Sequence, residues 1–161
     1  MTTKKTRSRS TSLDDPATQY ATEVHSGVRI AGPDIRNACA RHLRDLVEGP
    51  GRGLFWDLEE ANKAIRFYRA VLKLNGGEFE GQPFELLPWQ KFIVGSIFGW
   101  KSSDGYRRFR VVYVESGKGS GKSPLAAGVG LKGLVSDNEA RAEVYAAATK
   151  KDQAMICLLY T

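Results

Sequence analysis

The sequence predicts an α/β fold in which a helical segment, residues 20–105, precedes a parallel β-sheet that begins near residue 106. Two observations carry this prediction. In the first part, apolar side chains recur at helical spacing in three separate stretches. In the second part, the unbroken apolar run from Phe109 to Val114 leads into a glycine-rich loop and then into a further helical pattern. Unbroken apolar runs are typical of strands that are covered on both faces of a parallel sheet.

The first predicted helix begins near Pro33 and ends near Gly49, because proline is tolerated in a first turn and a Gly-Pro-Gly run ends a helix. Cys39 and His42 lie on its apolar stripe. Both are therefore interpreted as packing residues.

Two more helices are expected before the sheet. One starts after Asp57, which is expected to cap it together with Glu60 three residues later. The other is opened by the segment from Phe84 to Gln90 and continues through Trp100. The side chains expected to form its buried face are Trp89, Phe92, Ile93, Ser96, Ile97 and Trp100.

Length and composition are those of one globular domain. The 161 residues are 42% hydrophobic and 26% charged, which is ordinary for a folded protein of this size. No apolar stretch approaches the length of a membrane span, and no signal-peptide core follows the basic start. The two cysteines, Cys39 and Cys157, lack metal-ligand spacing, which favours buried thiols in a reducing cytoplasm.

Residues 1–19 are predicted to form a disordered basic arm. Lysine and arginine lie there among serine and threonine, with no acid before Asp14 and few apolar residues. Such an arm attracts the phosphates of nucleic acid. It fits a solvated tail equally well, so both interpretations stay open.

The glycine-rich loop is the strongest functional signal. It reads Gly117, Lys118, Gly119, Ser120, Gly121, Lys122 and Ser123. A strand, a glycine-rich loop and a helix in this order direct backbone N–H groups and the positive end of a helix dipole to one point, which suits a phosphate chain. Lys122 can reach the β- and γ-phosphates, and the Ser123 hydroxyl can bind Mg²⁺. The loop therefore predicts a nucleoside triphosphate site.

One position departs from the full motif, because Ser116 stands where it has glycine. The tight turn is therefore expected one position later, at Gly117. The helix after the loop contains Gly128, Gly130 and Gly133, which indicates close packing on the sheet. A second strand is expected at residues 142–148.

Four segments together resemble the large terminase subunits of tailed phages: residues 40–46, 87–90, 117–123 and 146–154. The resemblance spans residues 27–154. It implies a P-loop NTPase core of the additional-strand, RecA/helicase-like type. It also implies an ATPase that uses ATP and Mg²⁺ to drive genomic DNA into a procapsid, together with a nuclease domain that cuts this DNA.

The resemblance also implies residue roles. Gln90 corresponds to a glutamine that reads adenine, and an amide can pair with adenine N6 and N7; without the loop it would be an ordinary exposed residue. Lys122 and Lys118 correspond to the catalytic lysines, although Lys118 fits a solvated loop lysine equally well. Thr149 and Gln153 correspond to a helicase-like coupling segment.

The partners that the resemblance implies are double-stranded DNA, a portal protein and the terminase small subunit. Full-length members are expected to form a homo-oligomeric ring in the host bacterial cytoplasm, without contact with a membrane.

The acidic residues of a complete ATPase site are not recognisable. None of the acids after Ser123 (Asp137, Glu139, Glu143 and Asp152) follows a run of four apolar residues, so the sequence shows no Walker B motif. The nuclease carboxylates have no counterpart either. Residues 106–161 are thus expected to be the start of a truncated core with an incomplete sheet. The isolated chain is expected to be marginally stable and to hydrolyse ATP poorly or not at all.

Two other functions remain open at this point. One is a different P-loop DNA motor, such as a helicase. The other is a non-catalytic nucleotide- or DNA-binding module whose arm carries the binding. The terminase interpretation is favoured because neither alternative accounts for the segment from Arg41 to Leu46.

Overall fold

The computed structural model describes residues 15–74, 77–137 and 140–148. These contain five α-helices: α1 Pro16–His25, α2 Pro33–Glu48, α3 Leu58–Val71, α4 Pro88–Gly99 and α5 Lys122–Ser136. Strands β1 Leu54–Trp56 and β2 Trp100–Ser102 pair antiparallel, with Phe55 opposite Lys101. Short 3-10 turns occur at Pro50–Arg52 and Gly77–Phe79. In these ranges no helix has the length and apolar character needed to cross a membrane.

The first helix was not predicted. Residues 16–19, which the prediction places in the basic arm, form the first turn of α1, so the boundary of the arm at residue 19 is wrong. Asp15 caps this turn by accepting a hydrogen bond from the main-chain N–H of Thr18 at 2.9 Å. The residues that anchor the helix are Ala17, Tyr20, Ala21 and Val24, all buried. Residues 1–14 lie outside the described residues.

The three predicted helices are confirmed as α2, α3 and α4. The side chain of Asp57 accepts from the N–H of Glu60 at 3.0 Å and so caps α3 as expected. Cys39 and His42 are buried on α2, as interpreted from the sequence. Burial raises the pKa of the Cys39 thiol to about 11, which keeps it protonated and unreactive. Cys157 lies outside the described residues.

Helix α4 uses a different face from the predicted one for much of its packing. Val94 and Phe98 are buried in a core with Tyr68, whereas Trp89 and Ile93 are only partly buried. The helix is apolar on nearly all sides, so helical spacing could not choose between its faces. A second core joins α1, α2 and α4 through Ala17, Tyr20, Ala21, Val24, Cys39 and Phe92.

The prediction of two sheet strands, at residues 109–114 and 142–148, is wrong for the described residues. Residues 109–114 and 142–148 show no strand pairing in the described part of the chain, and Val111 and Tyr113 are 87% and 84% exposed. A strand requires a neighbour that completes its ladder of hydrogen bonds, and neither segment has one there. The observed sheet is instead the small β1–β2 pair.

In the described part of the chain α5 packs on α3, whereas the sequence predicted packing on a sheet. The hydroxyl of Tyr68 donates to the carbonyl oxygen of Leu125 at 2.7 Å. A methyl group added to Gly128 would lie 2.3 Å from Cε1 of Tyr68 and 2.8 Å from Cδ1 of Leu72. Glycine at this position therefore allows the two helices to approach closely.

Two glycines of α5 make a matched test of this packing. We expect Gly128→Ala to destabilise the protein by about 1–3 kcal/mol, because the added methyl overpacks the contact with Tyr68. We expect Gly133→Ala to be neutral or stabilising by up to about 1 kcal/mol, because its methyl meets only Asp137 Oδ2 at 3.6 Å and alanine favours helix. Urea denaturation of both variants measures the difference. Equal effects would contradict the packing described.

A buried hydrogen-bond network links α1, α2 and β2. The indole N–H of Trp100 donates to Nδ1 of His42 at 3.0 Å, so Nε2 carries the proton and donates to the hydroxyl of Thr18 at 2.9 Å. Thr18 in turn donates to Asp15 at 2.7 Å, and Trp56 donates to the same carboxylate oxygen at 2.8 Å. The network requires neutral His42, and burial lowers the pKa of His42 to about 4.

This pKa predicts a loss of stability in mild acid. Unfolded histidine takes up a proton near pH 6.5, whereas folded His42 does so only near pH 4, so the unfolded state binds more protons between these values. The contribution of neutral His42 to the free energy of unfolding is present in full well above pH 6.5 and is lost as the pH falls from there toward 4. We expect a loss of about 2 kcal/mol between pH 7 and pH 5 from this group. The loss should persist in His25→Asn, whose side chain is exposed, and disappear in His42→Asn.

Candidate functional site

The glycine-rich loop connects residues 109–116, which form neither helix nor strand, to α5. Gly119 has φ of 80° and Gly121 has φ of 79°, a left-handed conformation that costs little only for glycine. Gly117 is not in this region, so the expected turn at Gly117 is found two residues later. Gly121 is the N-cap of α5, and the unpaired N–H groups of the first helical turn therefore border the loop.

The ammonium group of Lys122 lies within the loop. Its Nζ donates to the carbonyl oxygens of Ser116 and Gly117, the latter at 2.8 Å. Ser116 stands where the full motif has glycine, but it accepts from Lys122 through its main-chain carbonyl oxygen, which any residue can supply. The loop thus places one positive charge beside the N-terminus of α5.

The three other polar side chains of the loop differ in exposure. The hydroxyl of Ser120 is buried and has no hydrogen-bond partner among the described residues. Ser123 is exposed at the start of α5, where its hydroxyl is accessible. Lys118 is exposed in the turn that precedes Gly119.

Gln90 lies next to the loop, although it belongs to α4. Its side chain is buried, with the residue only 2% exposed, so it is not an ordinary surface residue. Oε1 accepts a hydrogen bond from the N–H of Leu87 at 2.8 Å, which fixes the amide across the first turn of α4. A methyl group added to Gly121 would lie 3.2 Å from Nε2 of Gln90. The fold therefore brings this amide against the last glycine of the loop.

These groups fit a nucleoside triphosphate. An ammonium and helix N–H groups are donors to phosphate oxygens, and the Ser120 hydroxyl, which has no partner among the described residues, is a further donor in the loop. The described residues contain no cluster of His, Cys, Asp and Glu that could hold a metal ion. Mg²⁺ in such a loop is bound by a hydroxyl together with phosphate oxygens, and Ser123 can supply the hydroxyl.

A cleft of about 850 Å³ runs beside the loop. Helices α2 and α4 form one wall and residues 108–116 form the other. Among the lining residues are all those predicted from the sequence to form the buried face of the third helix: Trp89, Phe92, Ile93, Ser96, Ile97 and Trp100. The cleft ends at Ser116, the residue before the loop, and none of the residues 117–123 lines it.

The comparison with protein families bears on this part of the chain. Residues 88–159 match the family model of the terminase large subunit, ATPase domain. The resemblance to terminase large subunits is confirmed. The terminase match includes Gln90 and the loop 117–123, while α1, α2 and α3 precede it. No curated protein and no solved structure shows significant similarity to the chain.

Sequence reasoning identified the loop but did not single out Asp45. Asp45 is fully buried and contacts Arg108, which lies shortly before the loop. The available signal was an acid at helical spacing from Cys39 and His42, on an otherwise apolar stripe. Thr149 and Gln153, predicted to couple the nucleotide to DNA, lie outside the described residues.

Proposed function

We propose that this chain binds ATP with Mg²⁺ through residues 117–123 and Gln90, as the ATP-binding part of a phage DNA-packaging motor. The observation that carries the proposal is the position of the Gln90 amide, whose Nε2 would lie 3.2 Å from a methyl group added to Gly121. It joins a base-reading group and a phosphate-binding loop that lie far apart in the sequence. The terminase ATPase match supports a packaging motor ATPase.

Each group has a distinct task in this proposal. Lys122 and the N–H groups of Gly119, Gly121 and the first turn of α5 bind the β- and γ-phosphates. Ser123 holds Mg²⁺, which neutralises phosphate charge when bound. Lys118 supplies a second cation that stabilises charge on the γ-phosphoryl group.

Gln90 is proposed to select the base. Its Oε1 retains a second lone pair beside the hydrogen bond from Leu87, and this lone pair can accept from adenine N6 while Nε2 donates to N7. Guanine presents an acceptor in place of N6 and is disfavoured by the same amide.

The wider assignment follows from the terminase resemblance. The P-loop NTPase core, with ATP as fuel, moves double-stranded DNA into procapsids in the host bacterial cytoplasm. Its proposed partners are the portal protein, the terminase small subunit and further copies that complete a homo-oligomeric ring.

The role of Gln90 is tested by base preference and not by affinity alone. We expect Gln90→Ala to reduce the ratio of ATP to GTP affinity by about tenfold, because a bidentate amide–adenine pair contributes roughly 1–3 kcal/mol of discrimination. Equilibrium titration with fluorescent ATP and GTP in Mg²⁺ measures the ratio. The ratio is insensitive to a general loss of fold, which weakens both nucleotides together.

Gln82→Ala is the matched control, since Gln82 is an exposed glutamine in the turn before α4. It should leave the ratio unchanged. If the wild-type protein binds ATP and GTP equally well, the role assigned to Gln90 is contradicted. If it binds neither nucleotide, the proposed function is contradicted.

A further inference from the structure

The segment 40–46 on α2 has no role in the site described so far. Three of its residues nevertheless contact residues 100–109, which precede the glycine-rich loop in the chain. His42 accepts from the indole of Trp100, Arg41 lies over the ring of Phe109 with Cζ 5.3 Å from the centroid, and Asp45 pairs with Arg108. The contacts converge on residues 100–109.

The strongest of these contacts is the buried ion pair of Asp45. Its carboxylate is fully buried; Oδ2 accepts from Nη1 of Arg108 at 2.6 Å, and Oδ1 accepts from Nη2 of Arg52. Burial alone would raise the pKa of Asp45, but the hydrogen bonds from Arg108 and Arg52 outweigh it and hold the pKa below its ordinary value. The ionised carboxylate thus links α2 to Arg108.

Arg108 is also held by its own main chain and by two rings. Its N–H donates to the carbonyl oxygen of Trp100 at 2.9 Å, and its guanidinium lies 5.4 Å from the ring centroid of Trp100 and 5.0 Å from that of Phe109. Its side chain is 18% exposed. Arg108 is therefore held by an ion pair, a main-chain hydrogen bond and two aromatic rings.

Beyond Phe109 this support ends. Residues 109–116 have no strand partner in the described ranges and stand across the cleft from α2 and α4. They nevertheless end at Ser116 and Gly117, whose carbonyl oxygens hold the ammonium of Lys122. The far side of the loop is fixed by the packing of α5 on α3. The segment that leads to its near side is attached by Arg108 to Asp45 and by Arg107 to Asp137.

We propose that Asp45 is a positioning residue for the nucleotide site. Through Arg108 it anchors the segment that enters the glycine-rich loop, and so keeps the Ser116–Gly117 side of the loop in register with Gln90. This inference rests on the proposed ATP site, and it gives the 40–46 segment a function in that site without any contact with nucleotide.

Arg52 provides the matched control, because it pairs with the same carboxylate but belongs to the Pro50–Arg52 turn, far in sequence from the segment before the loop. Arg108→Gln and Arg52→Gln each remove one cation from Asp45. We expect Arg108→Gln to weaken ATP binding by about tenfold and to reduce the ATP-to-GTP preference, a coupling of the usual size between a remote residue and a site. We expect Arg52→Gln to leave both unchanged when compared at temperatures of equal folded fraction.

Two further measurements keep the proposal testable. Arg108→Lys retains a cation near Asp45 and should restore most of the base preference if Arg108→Gln folds poorly. Trypsin cleavage after the exposed Arg110 should be several-fold faster in Arg108→Gln than in wild type or Arg52→Gln, whether or not nucleotide binds.

The outcomes separate the two claims. If the wild-type chain binds no ATP, the proposed function fails, while faster cleavage in Arg108→Gln alone still supports the anchor. If both glutamine variants change cleavage and base preference to the same extent, in step with their loss of stability, Asp45 is a structural residue only and the inference is overturned.

Discussion

Lys122→Ala is expected to weaken ATP binding by about ten- to a hundredfold, because charge-assisted hydrogen bonds to phosphate contribute roughly 1.5–3 kcal/mol. The described contacts of the Lys122 ammonium are with Ser116 and Gly117 of the same loop. Its removal should therefore leave the fold intact. Titration with fluorescent ATP in Mg²⁺ measures the effect, and a thermal melt confirms that the variant is folded.

Lys118→Ala is the control with the same change in charge. Lys118 is exposed in the turn, so its loss should weaken binding far less than the loss of Lys122. If hydrolysis occurs, its selective loss in Lys118→Ala would assign Lys118 to the γ-phosphoryl group, and its retention would favour a solvated lysine. Equal loss of ATP binding in the two variants would contradict the role given to Lys122.

The largest stability effect is expected from Asp45→Asn. The substitution keeps the shape of the side chain but removes the negative charge that faces Arg108 and Arg52. Removing one partner from a buried ion pair leaves the other partner uncompensated, and we expect a loss of about 3 kcal/mol. Urea denaturation at pH 7 measures it.

Glu48→Gln is the matched control on the same helix. Glu48 is 61% exposed and lies 4.0 Å from Arg44, a surface pair that contributes less than about 0.5 kcal/mol. A similar loss of stability in both variants would show that the burial of Asp45 does not matter. A small loss in Asp45→Asn alone would show that the pair with Arg108 is weak.

The helices were predictable where caps and apolar spacing agree. Pro33 and Asp57 mark the starts of α2 and α3, and both starts are observed there. Helix α1 has equally good signals, since Asp15 caps the helix that begins at Pro16 and its buried residues recur at helical spacing. It was missed because the basic, Ser- and Thr-rich composition before it was extended too far along the chain.

The strands could not be predicted reliably, for a physical reason. The apolar run at 109–114 indicates an extended backbone that is suited to burial, but no strand is observed there. Whether it becomes a strand depends on partners at a distance, which one segment does not specify. The β1–β2 pair shows the same limit, because its two strands of three residues each carry no recognisable pattern.

The candidate site was predictable in part. The loop and the start of α5 follow from local glycine and helix signals and are confirmed as structure. The position of Gln90 came from the family resemblance, since nothing in its local pattern places it beside Gly121. The pairing of Asp45 with Arg108 depends on how α2 packs against residues that lie far along the chain, and no local signal gives that.

Hydrogen exchange with and without ATP and Mg²⁺ tests the central claim most directly, because it reads the loop and Gln90 in one experiment. A single site predicts slower exchange in peptides covering residues 117–123 and 87–91, with the same midpoint in an ATP titration. Protection of the loop alone, or of neither peptide, would contradict a site built from both.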